Sequence, residues 1–148
     1  MATDDDFDLQ DFLPYLLNQA ADVSSIGFQG YYKARYGMLR TEWRVLFHLG
    51  RYGMMTAKEV CTRARIHKTK VSRAVAALED KRFLIRTALP SDRRHDALRL
   101  TRQGKVAYAD LREEARRYDT ALMADVPAEH REVLRGCLIR IAGLSGKR

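Results

Sequence analysis

Residues 56–101 read T-A-K-E-V-C-T-R-A-R-I-H-K-T-K-V-S-R-A-V-A-A-L-E-D-K-R-F-L-I-R-T-A-L-P-S-D-R-R-H-D-A-L-R-L-T, and the fold turns on how this run is parsed. Thr56-Ala57-Lys58-Glu59 has the form of a capping box, in which a hydroxyl and a carboxylate satisfy each other's unpaired backbone N–H groups at a helix start. A short helix over about 57–64 follows, with Val60 and Ala64 inward. A second is expected over about 67–82. The runs 84–89 and 97–100 alternate loosely on either side of Pro90-Ser91-Asp92 and predict an antiparallel hairpin. Residues 58–102 carry 13 Lys/Arg against five Asp/Glu, a surplus of eight positive charges. A basic unit of helix, helix and hairpin is a shape that fits duplex DNA.

Helical phase divides the second of these helices. At about 100° per residue, Val71, Ala74, Val75 and Leu78 share one face and predict a core anchor. Thr69, Arg73 and Ala76 fall on the opposite face, with Lys70 and Ser72 on its flanks. Small and polar side chains mixed with Arg and Lys let a helix enter the major groove, about 12 Å wide, and reach base edges. Arg73 has the fork to pair with a guanine, and Thr69 suits a base edge or a thymine methyl group. Lys68, in the first turn, suits a phosphate. The competing reading is an ordinary solvated basic face. Asp92-Arg93-Arg94-His95, at the hairpin turn, adds a second basic projection, and arginine suits a narrow minor groove because the negative potential is strongest there. Asp92 repels DNA by itself and is expected to brace an arginine.

The flanks predict long helices. Phe12, Leu13, Leu16, Leu17 and Ala20 recur at helical spacing, and one helix is expected over about 8–35, weakened at Gly27 and Gly30. Thr41 is expected to cap the next, with Trp43, Leu46 and Phe47 as its stripe and Gly50 or Gly53 as its end. Thr101 caps a long fifth helix lined by Val106, Leu111, Ala115, Tyr118 and Leu122. Pro127 opens a sixth with Val133, Leu134, Leu138, Ile139 and Ile141 inward. Leu9, Phe12, Leu13 and Leu16, with Val133, Leu138 and Ile141, exceed what a small winged lobe covers. They predict an intertwined homodimer that sets two reading helices about 34 Å apart.

The remaining composition narrows the function classes. The chain has 148 residues, a net charge of +8 and a pI near 9.8. Residues 1–11 hold five Asp and no base, so the rest of the chain is more basic still. Such a body favours polyanions. No apolar run approaches the roughly 20 residues of a membrane span. The acidic start is unlike a signal peptide, so a cytoplasmic protein is expected. Cys61 and Cys137 have no metal or redox spacing, and buried, inert thiols are expected for both. His48, His67, His95 and His130 are scattered over four elements, which predicts no metal, no cofactor and no catalytic site.

T-x-x-E-V, then I-H-K-T-K-V-S-R-A-V-A-A-L-E-D-K-R-F-L-I-R, then P-S-D-R-R-H-D-A-L-R-L-T-R-Q-G, in this order, resembles the MarR family of bacterial transcription regulators. The likeness extends over nearly the whole chain. It implies a mainly α winged helix-turn-helix of six helices with a two- or three-stranded wing sheet. Within a single MarR-like domain over 1–148, residues of about 8–35 and 101–144 would dimerise and about 41–100 would bind DNA. The implied function is repression at a pseudo-palindromic operator near its own gene, released by a small aromatic or phenolic ligand. Lys68, Thr69, Lys70, Ser72 and Arg73 fall on the implied recognition helix, and Asp92, Arg93 and Arg94 in the wing. The implied ligand pocket would draw on Phe28, Tyr32, Arg35, Trp43, Phe47 and His48, with Tyr31 and Met38 nearby; aromatic walls with Arg or His suit a planar anion. Two positions depart from the family pattern: His67 stands where a better N-cap is usual, and Arg82 replaces a glycine. Two other functions remain open from the residues: a non-specific architectural or RNA-associated basic protein, and a redox-responsive regulator acting through Cys61.

Overall fold

The structure is a computed structural model that describes residues 6–145, with the side chain of Arg93 left out. The chain divides into two compact units, residues 1–113 and 114–148. In the first, a 3-10 turn at Leu9–Asp11 precedes α1 (Leu13–Tyr36), α2 (Arg40–Tyr52), β1 (Met55–Thr56), α3 (Ala57–Ala64), α4 (Lys68–Asp80), β2 (Leu84–Leu89) and β3 (Asp92–Leu100). The helix α5 (Arg102–Met123) runs on into the second unit, which also holds α6 (Ala128–Ile141). The sheet is antiparallel in the order β1-β3-β2. The expected mainly helical winged helix-turn-helix, with six helices and a three-stranded wing sheet, is what the chain forms.

The core of the first unit is the packing of α2, α3 and α4 on one another and on the base of the wing. Val71, Ala74, Val75 and Leu78 are all buried, so the expected anchor face of α4 is the observed one. Leu46, Leu49, Val60, Leu84 and Leu98 are buried on the neighbouring elements. The buried Glu42 carboxylate ties α2 to the end of α4: it accepts from the Leu39 amide at 2.8 Å and from Lys81 Nζ at 2.9 Å. Removing one partner of so enclosed a pair leaves an uncompensated charge, which is why such pairs are costly to break.

Several boundaries differ from expectation. The first helix begins at Leu13 rather than near residue 8. Pro14, which has no N–H to donate, fits the first turn of a helix but not its interior, and Asp8 caps only the short 3-10 turn through Gln10. Gly30 lies inside α1 with open space beside it. Leu39, not Thr41, is the N-cap of α2, with Glu42 reaching back to its amide. On α5 the buried line is Gly104, Ala107 and Leu111, while Val106 faces outward. In α6 no residue is buried, so Val133, Leu134, Leu138 and Ile141 are exposed in the single chain rather than inward. Neither cysteine is buried: Cys61 is half-buried and Cys137 exposed.

Two residues at the α4–β2 turn explain the L-T-R-Q-G run. Arg82 has φ of 61°, the left-handed region that a glycine would occupy without strain. The turn is closed by Arg82 N–H to the Glu79 carbonyl and Phe83 N–H to the Leu78 carbonyl, both 2.9 Å. Thr101 then donates its hydroxyl to the Arg82 carbonyl at 2.6 Å and accepts from Gly104 N–H at 3.0 Å, capping α5 while docking it on the turn. Gly104 lies so close that a Cβ there would come 1.9 Å from the Phe83 carbonyl oxygen. Opposite effects are therefore expected in urea unfolding. Gly104→Ala should destabilise by about 1–3 kcal/mol, and Arg82→Gly should stabilise by up to about 1 kcal/mol by relieving the left-handed strain. Unchanged midpoints for both would contradict this geometry.

Candidate nucleic-acid interface

The side of α4 opposite its anchor carries Lys68, Thr69, Lys70, Ser72, Arg73 and Ala76, all exposed. Their outward direction follows from the burial of Val71, Ala74, Val75 and Leu78, because a helix fixed on one face has no freedom to rotate the other. The helix starts at His67, whose extended backbone and imidazole form its N-cap. Nδ1 accepts from Thr69 N–H at 3.2 Å. An imidazole thus does the work usually given to Ser, Thr, Asp or Asn, and it does so with a nitrogen that carries a lone pair.

The wing is more irregular than a simple hairpin. Only Pro90 and Ser91 separate the strands, since Leu89 faces Asp92, whereas the preceding Ala88 faces Asp96. Residues 93–95 are therefore a bulge within β3, so the basic residues belong to the strand and not to the turn. The Asp92 carboxylate accepts from the Arg94 amide at 2.9 Å and pairs with His95 Nδ1 at 2.8 Å. Among the described side chains, its brace acts on the backbone of Arg94 and on the His95 ring. The His95 contact, and after it the Arg94 amide, hold the Asp92 carboxyl below its ordinary value. Arg94 is exposed. The Arg93 side chain lies outside the described ones.

The wing and α4 are joined through α3. The Thr56 capping box is present as expected, with Glu59 N–H to Thr56 Oγ1 at 3.2 Å and Thr56 N–H to Glu59 Oε2 at 2.8 Å. Met55 and Thr56 pair with Leu98 and Ala97 of β3, stitching the start of α3 to the wing base. Arg44 from α2 closes the other end of α3 by donating to the Ala64 carbonyl at 2.7 Å. No sequence signal marked this strand of two residues, which is too short to show alternation.

The aromatic residues expected around a small molecule are brought together, but chiefly onto one another. Phe28 meets Tyr32 and Trp43 edge-on with ring centroids 5.4 and 5.3 Å apart, and Trp43 meets Phe47 at 5.1 Å. Phe28 and Tyr32 are buried, and Trp43 and Phe47 half-buried. The two polar candidates are engaged elsewhere. Arg35 pairs with Asp110 at 3.0 Å, in a cluster where Tyr31 and Tyr36 also donate to that carboxylate, at 3.1 and 2.5 Å. His48 Nδ1 lies 2.7 Å from the Arg44 carbonyl of its own helix. The Asp110 cluster, which joins α1 to α5, was not expected; nothing in the spacing of residues 31, 36 and 110 announces it.

A family model described as "MarR family" matches residues 36–95, the span from the end of α1 to the wing bulge. This segment belongs to the MarR family. The family match bears out the expected recognition, and with it the coarse function: regulation of transcription. YwoH of Bacillus subtilis, described as an uncharacterized HTH-type transcriptional regulator, is 26% identical over 97 residues, 66% of this chain and 70% of its own length. BpsR of Bordetella bronchiseptica superposes with a TM-score of 0.84 at 17% identity, over 94% of this chain and 99% of its own. Its structure concerns regulation of DNA binding by 6-hydroxynicotinic acid. PcaV of Streptomyces coelicolor, solved with its natural ligand, gives 0.80 at 19% identity over 93% and 96%. At these identities the two likenesses show a shared fold. The matched relatives are regulators rather than enzymes. Among the described residues, no helix is long and apolar enough to cross a membrane.

The His67 cap separates by substitution. His67→Ala should lower stability by about 0.5–2 kcal/mol in urea unfolding, and His67→Asn, which restores a side-chain acceptor, should not. Equal stability of His67→Ala and the parent would show that the cap contributes nothing.

Proposed function

We propose that this chain is a sequence-specific DNA-binding repressor that acts in the cytoplasm as a homodimer at a pseudo-palindromic operator near its own gene. The observation that carries the reading is the division of α4 into a buried apolar anchor and an exposed face of Lys68, Thr69, Lys70, Ser72 and Arg73. In this reading Arg73 and Thr69 read base edges in the major groove, and Lys68, Lys70 and Ser72 hold phosphates. Arg93 and Arg94 reach the minor groove, with Asp92 shaping the strand that carries them. Homodimerisation is supported by the apolar residues each unit leaves exposed: Leu9, Phe12, Leu13 and Leu16 in the first, Val133, Leu138 and Ile141 in the second. Exposed apolar side chains in such numbers are typical of an interface.

Release by a small aromatic or phenolic ligand is the second part of the proposal. Its support is the aromatic group of Phe28, Tyr32, Trp43 and Phe47, with Arg35 and His48 as the polar candidates, together with the natural ligand bound by PcaV and the 6-hydroxynicotinic acid that regulates BpsR. Arg35 already pairs with Asp110, so an anionic ring that took the place of Asp110 would loosen the tie between α1 and α5.

Gel shifts on the region upstream of its gene test the DNA reading, with random duplex at the same salt as comparator. The upstream DNA should bind much more tightly; equal affinities would leave a non-specific basic protein. Arg73→Ala should reduce discrimination at particular base pairs by about 1–3 kcal/mol. Arg94→Ala should weaken binding evenly, and a sharp change in base preference from Arg94→Ala would refute this division of roles.

A further inference from the structure

A cavity of about 460 Å³ opens where α3, α4 and β3 meet, a size within the range of small-ligand sites. Base reading does not account for it. Its wall takes Lys58 from α3, Lys68 and Ser72 from α4, and Arg94 and His95 from β3. Among the described residues, no Asp or Glu lines it. Asp92, a carboxylate tied to this wall, is engaged by the Arg94 amide and by His95 Nδ1.

Three permanent positive charges brought from three separate elements repel one another, and an anion between them turns that repulsion into attraction. Lys68 also opens α4, so the positive end of the helix dipole adds to the same sign. The donors differ in kind: two ammonium groups, a planar guanidinium and a hydroxyl. A tetrahedral oxyanion, with acceptor lone pairs in several directions, is the ligand that serves such a mixed set.

We propose that this cavity is a phosphate seat, holding one backbone phosphodiester of the bound duplex and free inorganic phosphate when DNA is absent. The first occupant rests on the DNA-binding reading above, and the second does not. The seat brings Lys58 of α3 and His95 of the bulge into the interface, two positions with no role in base reading. It also makes free phosphate a competitor of DNA beyond its effect on ionic strength.

Cys61 lies in the same wall and serves as a built-in reporter, with the exposed Cys137 as control. The test is the rate at which iodoacetamide, a neutral reagent, alkylates each thiol in the full chain, followed by mass spectrometry. Inorganic phosphate should slow Cys61 by at least about threefold, the retardation expected once phosphate exceeds about twice its dissociation constant. Sodium chloride at matched ionic strength should not, and Cys137 should be unaffected by either. Lys58→Gln, which leaves the apolar core untouched, should abolish most of the protection and lower the salt slope of DNA binding by about one. Equal Cys61 rates in phosphate and chloride would overturn the proposal. So would equal protection in Lys58→Gln, or protection by the upstream duplex but not by phosphate, which would mean that DNA merely covers the thiol. A chain that binds no DNA yet shows Lys58-dependent phosphate protection would refute the DNA reading and uphold the seat.

Discussion

The exposed face of α4 exists because its other face is immobilised. Val71, Ala74, Val75 and Leu78 are buried against α2, α3 and the wing base, and a helix packed so closely neither rotates nor slides without opening voids. Every feature of the candidate interface follows from that constraint. The Glu42–Lys81 pair holds the C-terminal end of α4 to the start of α2. Arg44 closes α3 at the Ala64 carbonyl, and β1 sews the start of α3 to β3. The cations of α3, α4 and β3 stand round one cavity because these ties fix the three elements relative to one another.

Much of this was legible in the residues, for a physical reason. The anchor of α4 and the capping box of α3 depend on contacts within one or two helical turns, and periodicity encodes such contacts directly. The same holds for the two wing strands and for Thr101 as a cap. Errors arose where a longer-range demand prevailed. Val106 scans as an inward residue of α5, yet the approach of Gly104 to Phe83 sets the phase of that helix and turns Val106 outward. The apolar residues of α6 scan as inward because hydropathy reports that a surface is to be covered, without saying whether the cover belongs to the same chain. Pro14 fits only the first turn of a helix, a local start signal that the apolar periodicity hides.

The candidate site divides in the same way. The reading face of α4 came from helical phase alone. The Asp92 contacts to the Arg94 amide and the His95 ring depend on the bulge in β3, and strand register of that kind is not encoded in local periodicity. His67 and Arg82, the two departures from the family pattern, were absorbed locally: an imidazole nitrogen replaces a hydroxyl as cap, and an arginine accepts a left-handed backbone. The Asp110 cluster shows the limit. Tyr31, Arg35 and Tyr36 converge on one carboxylate more than 70 residues away, and only the folded chain reveals that Arg35 already has an anionic partner.

A pair of α4 helices presented to one face of a duplex is the core of this account, and footprinting on DNA selected from genomic fragments by the purified chain tests it most directly. The account predicts protection of two symmetry-related half-sites with centres about 10–10.5 base pairs apart, one turn of the double helix. Protection of a single unpaired half-site, or a pattern no different from that on unrelated duplex, would contradict it.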